Sequence, residues 1–415
     1  MSFGGHAACC HLVKNVVFYL ADFESGEKIM GSRLKFLLRN VAKMTVQNVV
    51  LPVAYELARL RYRRKKELYV FADAHHTELP FSLAAMYDYV KAQGITPVCH
   101  FHDYTHEGSL KSVLHSIAFM KLRAQAKCIF ICDTFVPVSS GRRDKRTQVV
   151  QLCHYSGPLK KLGYATEDDV PAYYGKNVFK NYDLVTASSE MFVPILAGAM
   201  RQAPGVVQPL GVSRSDVYFN EEWNLRCREA FYKQFPQAKG RKILLWAPTF
   251  RGKAVSPDAL DNESMVQLQA KLGEDWLVLI KHHPHDDAIL KASRYQSNCS
   301  LPSEQLLPVV DLLITDYSTT VLDYLAYDKP FILYAPDLEA YESKRGFFVD
   351  YRNLTDHLTE DATVLDEMVR RVYRKWQEGD REDIRRCRKL ITAACDGEAT
   401  ARIWNYLHKT EAASK

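Results

Sequence analysis

Residues 311–334 read DLLITDYSTTVLDYLAYDKPFILY. Two aliphatic, β-branched runs, 311–315 and 330–334, enclose a stretch in which Val321, Leu322, Leu325 and Ala326 recur at helical spacing. Strand, crossover helix and strand in that order form one unit of a parallel sheet. The same rhythm runs outward from it. Strand-like runs at 242–247 and 276–281 precede it, and an earlier set lies at 67–72, 96–101, 127–132, 147–152 and 183–187. Between 211 and 240 there is no strand character. The reading is α/β with two parallel-sheet domains: 67–211, a linker at 212–240, and 241–395. Leu365, Met368, Val369, Val372 and Trp376 open a closing helical segment, and 396–415 reads as a terminal helix or tail.

In open parallel sheets, ligands bind beyond the carboxyl ends of the strands, so the residues just after each run are the ones to read for chemistry. Asp316-Tyr317-Ser318-Thr319-Thr320 follows the run 311–315 and leads into a helix. Hydroxyls and amides there suit a phosphate; plain N-capping by Ser318 or Asp316 explains them as well. His282-His283-Pro284-His285 follows 276–281. A histidine at that place can donate to a phosphate, and without HExxH or a cysteine pair a metal is not expected. Pro248-Thr249-Phe250-Arg251-Gly252-Lys253 follows 242–247 and sets Arg251 and Lys253 at the same rim, as phosphate contacts or as solvated loop cations. In the first domain Cys153-His154-Tyr155-Ser156-Gly157-Pro158-Leu159-Lys160 follows 147–152. His154 is placed as a general base would be, Gly157 permits close backbone approach, and Lys160 or Lys161 can meet a negative charge. His75, His76, His100 and His102 read as structural or as cleft-edge residues.

Composition narrows the classes further. The chain has 415 residues, 47% hydrophobic and 25% charged, with formal net charge +6. That is globular and only mildly basic, which suits anionic substrates or a membrane surface and is too weak for nucleic acid. The 10 cysteines form no CxxC pair, which reads as reduced thiols in a cytoplasmic protein. MSFGGHAACC has no basic region followed by an apolar stretch and no apolar run approaches bilayer length, so neither secretion nor a membrane span is expected. GxxxxGK[ST], GxGxxG, GxSxG and Asp-x-Asp are absent, leaving helix ends and basic side chains to bind phosphate.

Within the segment 1–66, Ser32 is placed to cap a helix with Leu34, Leu37, Leu38, Val41 and Met44 on one stripe. Arg33, Lys35, Arg39 and Lys43 occupy its other face. Pro52 is expected to interrupt it. Arg59, Arg61, Arg63, Arg64, Lys65 and Lys66 then make a basic stretch with Leu60 and Tyr62. Such amphipathic helices suit an anionic membrane surface, and equally a core-packing helix with a solvated face.

Gln151–Gly163 (QLCHYSGPLKKLG), Gly211–Asp216 (GVSRSD), Trp246–Arg251 (WAPTFR), Lys281–His285 (KHHPH), Leu313–Pro330, Tyr334–Tyr341 (YAPDLEAY) and Arg345–Tyr351 (RGFFVDY) resemble, in order, the CDP-glycerol glycerophosphotransferase family of teichoic acid primases and polymerases. The resemblance implies a GT-B architecture, with two Rossmann-like domains facing a central cleft: an acceptor domain first and a CDP-donor domain second. It implies CDP-glycerol or CDP-ribitol as donor, with no further cofactor. The implied acceptor is undecaprenyl-diphosphate-linked or another lipid-linked glycan, met at the inner face of the cell membrane by a peripheral protein. The product is a teichoic acid or capsule-type polymer, and CMP is released.

By the same resemblance His154 is the base toward the acceptor hydroxyl and His283 acts on the donor phosphates, with those two roles exchangeable. Ser318, Thr319 and Arg251 hold the pyrophosphate, and Asp316, Lys160, Gly157 and Lys281 complete the substrate contacts. Arg214, Asp216 and Asp323 match family positions, where capping or packing serves equally. Family members carry Trp-His-Gly where this chain has Cys153-His154-Tyr155, which bears on the acceptor. The alternatives are a GT-B glycosyltransferase using another nucleotide sugar and an inactive nucleotide-binding membrane scaffold.

Overall fold

The computed structural model describes residues 32–104, 109–166, 169–170, 175–249, 252–253, 256–257, 263–281 and 301–413. Each run read above as a strand is one. The first sheet contains β1 (Tyr69–Asp73), β2 (Val98–Phe101), β3 (Cys128–Ile131), β4 (Gln148–Gln151), β5 (Leu184–Thr186) and the short β6 (Val207–Gln208). Its order is β2-β1-β3-β4-β5-β6, with every pairing parallel.

The second sheet opens with β7 (Lys242–Ala247), which is followed in the chain by a small separate hairpin, β8 (Gly252–Lys253) and β9 (Ser256–Pro257). With β10 (Trp276–Ile280), β11 (Leu312–Thr315), β12 (Phe331–Tyr334) and β13 (Leu358–Thr359) it has the order β10-β7-β11-β12-β13, again parallel. β1, β3, β11 and β12 are buried along their whole length. Parallel strands covered by helices on both faces read as continuous apolar runs, which is why they stood out in the sequence. β6 and β13 are two residues each, too short to leave such a signal.

The chain forms two compact units. One holds the described residues up to His154 together with those of Glu167–Thr186 and Leu196–Gln208; the other holds Tyr155–Thr166, Ala187–Ile195 and everything from Pro209 onward. In the second unit Leu244, Trp246, Val278, Ile280, Leu312, Ile314 and Ile332 of the sheet pack against Met265, Leu268 and Leu272 of the helix Glu263–Leu272. Leu365, Met368, Val369 and Val372 of the helix Leu365–Gln377 join the same core. Each such side chain contributes about 1.5–3 kcal/mol on burial. The stretch 212–240 is helical: a 3-10 run Ser213–Phe219 and a helix Glu221–Gln234, whose Asn220 side chain caps it by accepting Trp223 N at 2.9 Å.

One expectation is corrected near the start. Pro52 does not interrupt the helix, which runs through Ser32–Thr45, a π-helical turn Val46–Val50, and Leu51–Arg61. Leu51 N bonds to Val46 O in the wider π turn and Pro52 enters the first turn after it, where no N–H is asked of it. In the later part, Tyr55 is fully buried, its hydroxyl donates to Asp144 Oδ2 at 3.1 Å, and Arg123 lies over its ring at 4.2 Å. In the earlier part, Leu37, Leu38, Val41 and Met44 are exposed. The side chains of Ser32 and Leu34 lie outside the described residues.

Candidate functional site

In the first unit, the carboxyl ends of β1, β3 and β4 bring together residues that are far apart in sequence. His154 follows β4 and its side chain is 49% exposed, so it is open to a reactant. Its Nδ1 lies 3.3 Å from Cys132 O and 3.6 Å from Asp133 Oδ2, both just past β3. A carbonyl can only accept, so Nδ1 is the nitrogen that donates. At the end of β1, Asp73 is buried and accepts from His76 Nδ1 at 2.7 Å and His75 N at 2.9 Å. Its hydrogen bond to the Asp73 carboxylate, acting against burial, raises His76 above the usual histidine range.

His100 and His102 are buried. The ring of His115 stacks on His100 at 3.7 Å and on His102 at 4.6 Å, between centroids. Burial pushes His100 down to about 3.

In the second unit the loop after β11 is fixed from below. Asp316, fully buried, accepts Thr249 N at Oδ1 at 2.7 Å, and its backbone O accepts from Tyr351 OH at 3.0 Å. Asp316 therefore joins the loop after β11 to the one after β7. Tyr317 stacks on Tyr341 at 3.8 Å, packs against Phe347 and Tyr351 at 5.5 and 5.4 Å, and donates to Asp337 Oδ1 at 2.9 Å. The separate runs TDYSTT, YAPDLEAY and RGFFVDY are thus one aromatic cluster around Tyr317. Above it Ser318 and Thr319 are half-buried, with Ser318 Oγ donating to Thr320 Oγ1 at 2.9 Å. The α-helix they introduce, Thr320–Tyr324, is short and continues as a 3-10 turn Leu325–Tyr327.

Gly157 and Lys160 belong to this second unit, although His154 belongs to the first. Lys160 bridges to Phe347, Lys161 N donates to Gly346 O at 3.1 Å, and Phe348 N donates to Leu159 O at 2.9 Å. Gly157 has φ +131, and a Cβ there would meet Phe192 and Ser188 at 3.0 Å and Leu322 at 3.1 Å. Its close neighbours are thus the protein's own side chains. Lys281 directly follows β10, its N donating to Trp246 O at 2.9 Å.

The sequence left Arg214, Asp216 and Asp323 open. Arg214 Nη2 lies 3.0 Å from Asp323 Oδ2 and 3.2 Å from Glu304 Oε1, in a network completed by Tyr218 OH and Ser156 Oγ. Asp216 caps the helix Ala399–Ala413, accepting Ala399 N at 3.0 Å and Thr400 N at 2.7 Å. His283 and Arg251, with His282 and His285, lie outside the described residues. Among the described residues no three His, Cys, Asp or Glu side chains are gathered so as to hold a metal ion.

Comparison with known proteins agrees with these motifs. A family model described as CDP-Glycerol:Poly(glycerophosphate) glycerophosphotransferase matches residues 54–409. A teichoic acid ribitol-phosphate primase of Bacillus spizizenii is 29% identical over 266 residues, covering 59% of this chain and 66% of that protein. The ribitol-phosphate polymerase TarL of Staphylococcus aureus is 30% identical over 256 residues, 59% of this chain and 45% of its own length. A glycerol-phosphate primase of Bacillus subtilis is 28% identical over 255 residues, 59% and 65%. The chain thus spans less than two thirds of the length of each of these relatives. Among solved structures, the wall teichoic acid polymerase TagF superposes with TM-score 0.67 at 18% identity, covering 90% of this chain and 96% of that one. The α/β fold of two parallel sheets, in the GT-B class, is as the sequence led us to expect.

Proposed function

We propose, from the premise that the chain belongs to the CDP-glycerol:poly(glycerophosphate) glycerophosphotransferase family, that it transfers glycerol phosphate or a related polyol phosphate from a CDP-polyol to an acceptor hydroxyl and releases CMP. The relatives named above are a ribitol-phosphate primase, a ribitol-phosphate polymerase and a glycerol-phosphate primase, so either CDP-polyol fits as donor. The acceptor hydroxyl belongs to a lipid-linked glycan. The observation that carries this reading is the placement of His154: exposed, at a strand's carboxyl end, with its proton directed by Nδ1 at Cys132 O and its lone pair therefore on Nε2.

In this reading His154 takes the acceptor's proton, and the oxygen attacks the phosphorus that bears the polyol. His283, Arg251, Lys281 and Lys160 balance charge on the phosphate oxygens, with Ser318, Thr319 and the backbone around Gly157 and Asp316 shaping the donor's seat. Such chemistry depends on positioning and on charge stabilisation more than on covalent participation. With the cations supplied by side chains, we expect turnover to survive EDTA.

The protein would work at the inner face of the cell membrane, held there peripherally by its N-terminal helix. No helix among the described residues is long and apolar enough to cross a bilayer.

The test is CMP release from CDP-glycerol, CDP-ribitol and a panel of UDP- and GDP-sugars, each with and without lipid-linked acceptor. Acceptor-dependent release from one CDP-polyol, lowered about 10² to 10⁴-fold by His154→Ala, is the expected result. Turnover with a nucleotide sugar alone would overturn the donor assignment. Binding of CDP-polyols with no CMP under any condition would favour the scaffold instead.

A further inference from the structure

We infer that Asp133 is the positioning residue for His154, holding the imidazole in the tautomer whose lone pair lies on Nε2. His154 is here the base proposed above, and Asp133 acts only through it.

β3 delivers Cys132 and Asp133 to the same rim to which β4 delivers His154. Asp133 Oδ1 accepts Thr134 N at 2.6 Å, which orients the carboxylate, and Oδ2 lies 3.6 Å from His154 Nδ1. Gln151, the last residue of β4 and 3% exposed, bonds in two directions. Its Nε2 donates to Asp133 O at 3.1 Å while its Oε1 accepts Cys153 N at 3.1 Å. One buried amide thus ties the backbone that carries Asp133 to the backbone that enters His154.

Cys153 has φ 58, in the left-handed region that a non-glycine residue seldom adopts. It is held there by Gln151 and by its own Sγ donating to Thr186 O at 3.5 Å. A strained residue persists only where its surroundings over-determine it, and such residues gather where a side chain must be aimed. The residue aimed here is the next one, His154.

The chemistry explains why a carboxylate belongs at this place. When the acceptor's O–H bond breaks, its proton goes to Nε2. The electron pair left on oxygen forms the new O–P bond as the P–O bond to CMP breaks, with that pair leaving on CMP. His154 is then an imidazolium whose Nδ1–H faces Cys132 O and Asp133 Oδ2, and the carboxylate stabilises the charge. The same carboxylate oxygen lies 3.7 Å from His75 Nε2, so His75 is a second claimant on it. Asp73, the other nearby carboxylate, is engaged with His76 at 2.7 Å and Cys132 Sγ at 3.8 Å.

The test is Asp133→Asn in the full chain, with Asp133→Glu and His75→Gln beside it. The carboxamide carries no charge and can offer Nδ1 an N–H in competition with Cys132 O, which shifts the imidazole proton toward Nε2. Turnover should fall by about 10² or more with KM little changed, and glutamate should restore part of it. Nitrogen chemical shifts of ring-labelled histidine, with the His154 signal assigned by its loss in His154→Gln, report the tautomer without any substrate. The expected result is a pyridine-type Nε2 in the native protein and a shift toward Nε2–H in Asp133→Asn. An unchanged tautomer with unchanged turnover in Asp133→Asn overturns the inference. So does His75→Gln reproducing the Asp133→Asn defect, which would mean that Asp133 serves His75. A tautomer that switches in Asp133→Asn while His154→Ala still turns over normally upholds the positioning and sinks His154 as base.

Discussion

Ser156 Oγ donates to Asp323 Oδ1 at 2.5 Å across 167 positions of sequence, while Asp323 Oδ2 receives Arg214 Nη2 and Tyr218 OH, each at 3.0 Å. The Arg214 and Asp323 side chains are 9% and 8% exposed. Removing one charge strands the other, so Asp323→Ala should cost about 3–5 kcal/mol, whereas Ser156→Ala removes one hydrogen bond to the carboxylate and should cost about 1.5–3 kcal/mol. All 5 tryptophans, at 223, 246, 276, 376 and 404, lie in the second unit. Urea unfolding followed by tryptophan emission therefore reads that unit alone, and equal losses in the two variants would contradict the network described.

Two glycines should differ sharply on substitution. Gly211 has φ +85, and a Cβ there would lie 2.1 Å from Ala394 O and 2.7 Å from Ala399 Cβ. Backbone cannot step aside, so Gly211→Ala should fail to give folded second unit. Gly157→Ala meets side-chain atoms at 3.0–3.1 Å, which can yield, although its φ of +131 still costs about 1–3 kcal/mol. Soluble yield and thermal midpoint decide between them. Gly157→Ala proving the worse would mean that Phe192, Ser188 and Leu322 are held more rigidly than a backbone carbonyl.

Acid should weaken the first unit through its histidine stack. Burial lowers His100 to about 3, with the neighbouring His115 adding to the shift, against about 6.5 for an exposed histidine. Between those values the unfolded chain binds a proton that the folded one refuses, so stability falls as pH drops from about 6.5 toward 3 and is fully present above that window. His100→Phe keeps the ring stacking and removes the titration. Its unfolding midpoint should depend less steeply on pH between 6.5 and 5 than that of the native chain. Parallel slopes would show that a group other than His100 governs the acid response.

The sheet was legible because parallel strands buried on both faces announce themselves: YVFAD, CIFI and LLIT need no partner to be read. The strand-end rule then led directly to His154 and Ser318. It would have reached Asp133 as well, since that residue follows β3 just as His154 follows β4, but a lone Asp after Ile131-Cys132 carries no mark of the histidine it faces. Pro52 misled because a π turn is invisible to a 3.6-residue period. Arg214 and Asp323 matched family positions, yet only the fold brings Arg214 and Ser156, 109 and 167 positions away, onto the one Asp323 carboxylate. Tyr317 likewise owes its importance to Tyr341, Phe347 and Tyr351, which lie in other motifs.

The proposed membrane contact makes its own prediction. Leu37, Val41, Met44, Val49, Val53 and Leu60 are exposed, the last at 86%, on a helix whose later turns bury Leu51, Tyr55 and Ala58 against the first unit. Met44 and Val49 are five apart, and the wider π turn between them keeps both on one stripe. Beyond Leu60 the exposed Arg61, Arg63, Arg64, Lys65 and Lys66 add a basic edge. Apolar burial and attraction to anionic headgroups, about 1 kcal/mol per cation near the surface, should then act together. Val41→Glu removes buried apolar area and adds repulsion, at a place where the helix makes no buried contact. It should lower co-sedimentation with phosphatidylglycerol vesicles about tenfold or more, 1.4 kcal/mol being one factor of ten, while leaving CMP release with a water-soluble acceptor intact. Screening by salt should weaken native binding more than it weakens that of a variant with Arg63, Arg64, Lys65 and Lys66 replaced by Gln. Equal binding to zwitterionic and anionic vesicles would remove the basic edge from the account, and no loss in Val41→Glu would remove the stripe.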